Sequence, residues 1–160
     1  MSELKVGARA PAFTLSDQDG RKVKLSDFKG KRLVVYFYPK ADTPGCTTQS
    51  CAVRDALPDL KKLRSAVVGI SPDLPERQER FDAKYDLGFP LLADTDHQVA
   101  EKWGVWGEKS MYGKKYMGIL RSAFVVDEQG KIAAAFYKVS PKATVGHVTE
   151  ALRALPRSTR

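Results

Sequence analysis

Six consecutive apolar residues, Leu33, Val34, Val35, Tyr36, Phe37 and Tyr38, constrain this chain more than any other stretch. A strand with one wet face alternates apolar and polar positions, and this one has no polar position to expose. It must be covered on both faces, as a central strand of a parallel or mixed sheet is. Residues 66–71 repeat the pattern. Between the two runs, Val53, Leu57, Leu60 and Leu63 recur at helical steps, so 46–64 is predicted to be a helix, kinked or restarted at Pro58.

The flanking segments fit the same scheme. Residues 13–15 and 23–25 surround Gln18-Asp19-Gly20 and read as a hairpin, followed by a helical turn at Ser26, Asp27 and Phe28. Ser71-Pro72-Asp73-Leu74-Pro75 opens a second helix with Arg77, Phe81 and Tyr85, capped by Ser71 or Asp73. A short strand at 90–93 and a short helix at 98–103 follow. Residues 104–118, with four glycines, read as a long loop that either packs on itself or docks a partner. A hairpin at 122–127 and 131–138 precedes a terminal helix at 144–155. The fold class is α/β, with a mixed central sheet, helices on both faces and an N-terminal β-hairpin extension. No repeat or linker interrupts the 160 residues, so 1–160 reads as one domain.

Composition narrows the function classes. No apolar run approaches the ~20 residues of a membrane span. The opening Met-Ser-Glu-Leu-Lys-Val has no apolar signal segment, so a cytoplasmic chain is expected. Lysine and arginine exceed aspartate and glutamate by 27 to 19, a net +8. The surplus is scattered, with short local pairs such as Lys31-Arg32, Lys61-Lys62 and Lys114-Lys115 and arginines in the last eight residues. Without a basic run or an aromatic RNA-binding signature, it reads as a solvated surface and not as a nucleic-acid footprint. Gly113-Lys114 lacks the remainder of a phosphate loop, since Glu108 and Lys115 occupy its other defining positions. Asp94-Thr95-Asp96 begins like a calcium loop, but Val99 and Val105 stand where glycine and glutamate are required. His97 and His147 are too far from each other and from the cysteines for a zinc spacing, and read as surface or capping residues.

The two cysteines, Cys46 and Cys51, carry more. Structural disulfides are rare in a reducing compartment, so the pair points to chemistry. Cys46 follows the buried strand where a helix begins. The first amides of a helix lack internal partners and its dipole favours negative charge there, so a thiol at this position ionises readily. Pro44 and Gly45 permit a tight turn whose amides face an incoming oxygen. An inert buried cysteine is the alternative, against which stand polar Thr43, Thr47, Thr48, Gln49 and Ser50. On an intact helix, residues five apart have Cα atoms ~8.7 Å from each other, beyond the ~7 Å that a disulfide spans. Either the pair never bonds, or the first turns of the helix unwind when it does.

Tyr38-Pro-Lys-Ala-Asp-Thr-Pro-Gly-Cys-Thr47, with a second cysteine at 51, resembles the active-site stretch of Q-type peroxiredoxins, the bacterioferritin comigratory protein subfamily. The resemblance extends to Gly7-Ala-Arg-Ala-Pro-Ala-Phe13, Gly69-Ile-Ser71, Phe89-Pro-Leu-Leu92, Gly107-Glu-Lys-Ser-Met-Tyr-Gly113 and Arg121-Ser-Ala-Phe-Val-Val-Asp127. It implies a thioredoxin-like fold and a thiol-dependent antioxidant peroxidase acting on hydrogen peroxide and organic hydroperoxides. Cys46 would be the peroxidatic residue and Cys51 the resolving one. Thr43 and Arg121 would orient the peroxide, with the amides near Gly45 and Cys46 assisting and Pro39 shielding the pocket. No metal or organic cofactor is implied, and the partner is an external dithiol such as thioredoxin. The chain would act as a monomer, with a dimer as the alternative. Ala123 replaces a usual threonine and Gln49 a frequent glutamate, which withholds a possible proton relay. An ordinary thiol is only ~3% ionised at pH 7, so full ionisation yields about thirtyfold and further acceleration must come from placed donors. A disulfide oxidoreductase or redox sensor using the same pair is the competing reading.

Overall fold

The computed structural model describes residues 3–156, so Met1 and Ser2 of the N-terminal reading and Arg157 and Arg160 of the basic surplus lie outside the described residues. The first half of the chain forms β1 (Thr14–Ser16), β2 (Lys22–Lys24), a 3₁₀ turn at Leu25–Phe28, β3 (Arg32–Phe37) and α1 (Pro44–Lys62). Then come β4 (Ser65–Ser71), α2 (Pro75–Tyr85), β5 (Leu91–Ala93) and α3 (Gln98–Lys102). The remainder is β6 (Trp106–Met111), β7 (Lys114–Ile119), β8 (Ser122–Val126), β9 (Ile132–Phe136) and α4 (Thr144–Ala154).

Strand β3 sits where its apolar run from Leu33 demands, between parallel β4 and antiparallel β8, in a seven-stranded sheet of order β2-β1-β5-β4-β3-β8-β9. All its residues are buried. Alternation sends Val34, Tyr36 and Tyr38 toward Val53 and Leu60 of α1, Phe81 of α2, and Val148 and Leu152 of α4. Leu33, Val35 and Phe37 face the opposite way, toward Phe13, Val99, Ala100 and Trp103. Each large side chain so buried stabilises the fold by ~1.5–3 kcal/mol. The three long helices thus share one face. The other is closed by short α3, Trp103 and the N-terminal segment.

Four expectations need correction. Helix α1 begins at Pro44, whose fixed φ and absent N–H suit the first helical position, and it runs through Pro58 without a break. Neither Ser71 nor Asp73 caps α2: Leu74 holds the cap position without a side-chain bond, and Pro75 starts the helix. Residues 104–118 are mostly not loop but an antiparallel hairpin, paired from Trp106↔Ile119 to Met111↔Lys114. Its turn places Tyr112 and Gly113 at φ of 53° and 78°, the two left-handed residues of a type I′ turn. Tyrosine is an unusual occupant there, and apolar residues do not alternate with polar ones along β6 (WGEKSM) or β7 (KKYMGI), so neither turn chemistry nor alternation advertises the strands. Arg32 is not a solvated surface charge either. It is buried, donates to Leu152 O at the end of α4 over 3.3 Å, and pairs with Glu128.

The residues struck from metal roles have structural ones. The Asp94 carboxylate accepts from the amides of Val99 (3.1 Å) and Ala100 (2.9 Å), fixing the start of α3. The rings of His97 and His147 stack on Trp106 and Phe136. Among the described residues no group of three or more His, Cys, Asp or Glu is placed to hold a metal ion, and no helix is long and apolar enough to cross a membrane.

Candidate active site

Strand β3 ends at Phe37, and Tyr38 to Thr43 carry the chain to α1. Thr43 is the N-cap residue in extended conformation, φ −97° and ψ 157°. Its hydroxyl does not cap the helix but donates to Lys40 O over 2.7 Å, closing the loop on itself. Pro44 has no N–H, and the amides of Gly45 and Cys46 belong to the first turn, where no intrahelical acceptor exists. Cys46 is the third helical residue and fully buried. Its sulfur therefore lies at the positive end of α1, out of bulk water.

Arg121 reaches this sulfur through the sheet. Antiparallel pairing of β8 with β3 sets Ser122 opposite Phe37, so the preceding residue arrives at the same edge as Cys46. Arg121 Nη1 donates to Cys46 Sγ over 3.4 Å and to Gln49 Oε1 over 2.8 Å. Buried Gln49, one turn along α1 from Cys46, donates onward to Thr144 Oγ1 over 2.9 Å, and Thr144 donates to Ser140 O over 2.9 Å. An amide serves this link as a carboxylate would not, because it accepts from Arg121 and donates to Thr144 at once. Gly45 completes the fit: a Cβ there would lie 3.0 Å from Arg121 Nη2 and 3.5 Å from Pro141 Cγ. Beside Gly45 opens a cleft of about 330 Å³ lined by Pro44, Thr48, Ser140, Pro141 and Lys142.

A second cation stands nearby. Lys109 donates to Ile119 O over 2.9 Å. Burial, and then the Arg121 charge, pull its ammonium below the usual lysine range, while interaction with Cys46 opposes them. Beneath the site Tyr36 OH and Ser50 Oγ share a 2.8 Å hydrogen bond. Burial holds the Tyr36 phenol far above its ordinary range, so it remains neutral and structural. The ring occupies the space beside Gly69, where a Cβ would come within 2.8 Å of it.

The structure thus joins Cys46, Arg121 and Gly45 in one place. Thr43 lies at the cap with its proton engaged by Lys40, and Pro39 sits half-buried in the same loop. Cys51 is not brought to Cys46: both are free, and Cys51 is half-buried on the same intact helix, packed against the core. Lys109 and Thr144 have no role in the sequence reading, and Gln49 enters it only as a polar neighbour of Cys46 and a departure from a frequent glutamate. The three-residue step from Cys46 does put Gln49 on the same helix face, whereas nothing local marks Thr144 or Lys109.

The AhpC/TSA family model matches residues 6–135. A putative peroxiredoxin of Mycobacterium tuberculosis is 53% identical over 154 residues, covering 96% of each chain. Peroxiredoxin Bcp of Escherichia coli K12 is 56% identical over 136 residues, covering 85% of this chain and 87% of that protein. Among solved structures, a peroxiredoxin Q of Xanthomonas campestris superposes with a TM-score of 0.86 at 35% identity, over 93% of this chain and 97% of the other.

Proposed function

This chain belongs to the AhpC/TSA family and is a thiol-dependent peroxidase of the peroxiredoxin kind, and from that premise we propose that Cys46 is its reacting atom and Cys51 its resolving partner. The observation that carries the reading is the buried Cys46 sulfur 3.4 Å from Arg121 Nη1 at the start of a helix. A thiolate attacks one oxygen of a hydroperoxide; the O–O bond breaks, and the other oxygen leaves with the electron pair and takes a proton to become water or an alcohol. Negative charge moves from sulfur to the leaving oxygen. Donors that follow it are Arg121 and the amides of Gly45 and Cys46, with Thr43 orienting the peroxide and Pro39 limiting water. The cleft beside Gly45 gives the organic part of a hydroperoxide somewhere to lie. Alkyl peroxide reduction is described for the bacterioferritin comigratory protein of Xanthomonas campestris.

The sulfenic acid on Cys46 then condenses with the Cys51 thiol, forming the disulfide and releasing water. External dithiol, such as thioredoxin, reduces that disulfide in exchange for its own. Helical spacing holds the two Cα atoms ~8.7 Å apart, so the segment between them must melt first. Three side-chain bonds resist: Arg121 to Gln49, Gln49 to Thr144, and the pair of Ser50 with Tyr36. Each contributes ~0.5–1.5 kcal/mol, an amount that disulfide formation can offset.

One equivalent of hydrogen peroxide, followed by peptide mass analysis, tests this sequence of steps. Wild type is expected to lose the mass of two hydrogens, with the 46 and 51 peptides joined, and Cys51→Ser to gain one oxygen on Cys46. Amide exchange on the same samples should accelerate over residues 44–53 in the oxidised wild type. Oxidation elsewhere than at Cys46 contradicts the assignment, and equal protection in both states contradicts the unwinding.

A further inference from the structure

Asp73, which does not cap α2, is bonded instead to the loop before Cys46. Its Oδ2 accepts from Ala41 N over 2.7 Å, and Arg77 Nη2 donates to Ala41 O over 3.3 Å. The two clamping side chains also pair with each other, Arg77 Nε lying 3.1 Å from Asp73 Oδ1. Both ends of one residue's backbone are thereby held, by Asp73 on the β4–α2 connection and by Arg77 in the first turn of α2. Ala41 itself is fully buried. The same carboxylate continues a buried chain: Tyr38 OH donates to Gln78 Oε1 (2.5 Å), Gln78 Nε2 to Ser71 Oγ (2.8 Å), and Ser71 Oγ to Asp73 Oδ2 (2.7 Å). The network therefore starts at Tyr38 and returns to Ala41, spanning Pro39 and Lys40. A second tether follows: Asp42, at a left-handed φ of 61°, accepts from Lys84 Nζ and Tyr85 OH, each over 3.0 Å.

We infer that Asp73, with Arg77, is a positioning pair for peroxide reduction, fixing the Ala41 peptide so that Pro39 and Thr43 keep their places around Cys46 without themselves touching the sulfur. This rests on the roles proposed above for Pro39 and Thr43. A loop between a strand and a helix makes few hydrogen bonds of its own; here Thr43 Oγ1 donating to Lys40 O is one, and the charged clamp adds an acceptor for Ala41 N and a donor for Ala41 O. Bonds to an ionised partner are stronger and shorter than neutral ones, which suits a part that must stay still. The clamp draws on no residue of α1, so it persists when the first turns of that helix unwind, and the peroxide pocket reforms against a fixed wall.

The test separates the reaction with peroxide from the reactivity of the thiol alone. In Asp73→Asn, one amide N–H must face a donor where the carboxylate faced only donors, so the Ala41 clamp loosens. The second-order rate of Cys46 with hydrogen peroxide should fall about tenfold, since small misplacements of orienting groups are costly. Alkylation of Cys46 by iodoacetamide should not slow at any pH, because Arg121 and the helix amides are untouched. Arg77→Met removes the partly exposed half of the clamp and should lower the peroxide rate about threefold, again sparing alkylation. It decides the matter if Asp73→Asn does not fold. An unchanged peroxide rate in a folded variant, or peroxide and alkylation rates falling in parallel, overturns the inference. Absence of any peroxide reaction at wild-type Cys46 would instead overturn the proposed function.

Discussion

Cys46→Ser is expected to abolish peroxide turnover while leaving the fold intact. Oxygen is smaller than sulfur by little enough for the site to accept, and the hydroxyl can still accept from Arg121. Chemistry is what fails. A serine hydroxyl stays protonated at neutral pH, has no base beside it among the residues around Cys46, and attacks an O–O bond poorly. Donors arranged for the leaving oxygen cannot act without a nucleophile, so the loss should be complete to the limit of detection, measured as consumption of hydrogen peroxide with dithiol present. Thermal unfolding within a few degrees of wild type would show that the loss is chemical.

Arg121→Met should have the next largest effect, lowering kcat/KM for hydrogen peroxide by about 10²–10³, the usual result of removing one preorganised donor to developing negative charge. Arg121 touches the nucleophile, anchors Gln49 and packs against Gly45, so several functions go together. Iodoacetamide alkylation distinguishes them: it needs a reactive sulfur but no donor for a departing oxygen, and should fall by less than the peroxide rate. Arg121→Lys keeps the charge yet loses the planar fork that serves Cys46 and Gln49 together, and should recover only part of the loss. Removing the guanidinium also leaves buried Gln49 Oε1 unpartnered, a stability cost of ~1–3 kcal/mol readable by urea unfolding. Equal loss in the peroxide and alkylation rates would reduce Arg121 to a support for the thiol alone.

Strand β3 was legible because burial on two faces writes itself into consecutive residues, and α1 because its apolar stripe has a helical period. Cys46 was legible from its place between those elements. What stayed hidden depends on contacts distant in sequence. Arg32 looked like half of a surface basic pair, since its acceptors at Glu128 and Leu152 are supplied by folding. Asp73 looks like a cap because a cap is the local use of such a residue; its actual partner, Ala41, follows the neighbouring parallel strand β3. Gln49 stood out only as a departure from the family pattern, and its function as a two-way link needs Arg121 on one side and Thr144 on the other. The hairpin of β6 and β7 is hidden in the sequence for a local reason, a tyrosine at a left-handed turn position between largely exposed strands.

The scattered positive charge has no part in the account, whereas the five-residue spacing of the cysteines shapes it throughout. A pair that can bond only when α1 opens could serve either a catalyst that cycles or a sensor that responds once. The most direct test supplies hydrogen peroxide in large excess over the chain, together with thioredoxin, its reductase and a source of reducing equivalents, and follows peroxide over time. A thiol peroxidase working through Cys46 should consume many equivalents per chain at a rate proportional to chain concentration. Consumption that stops at one equivalent per chain while reductant remains would contradict it.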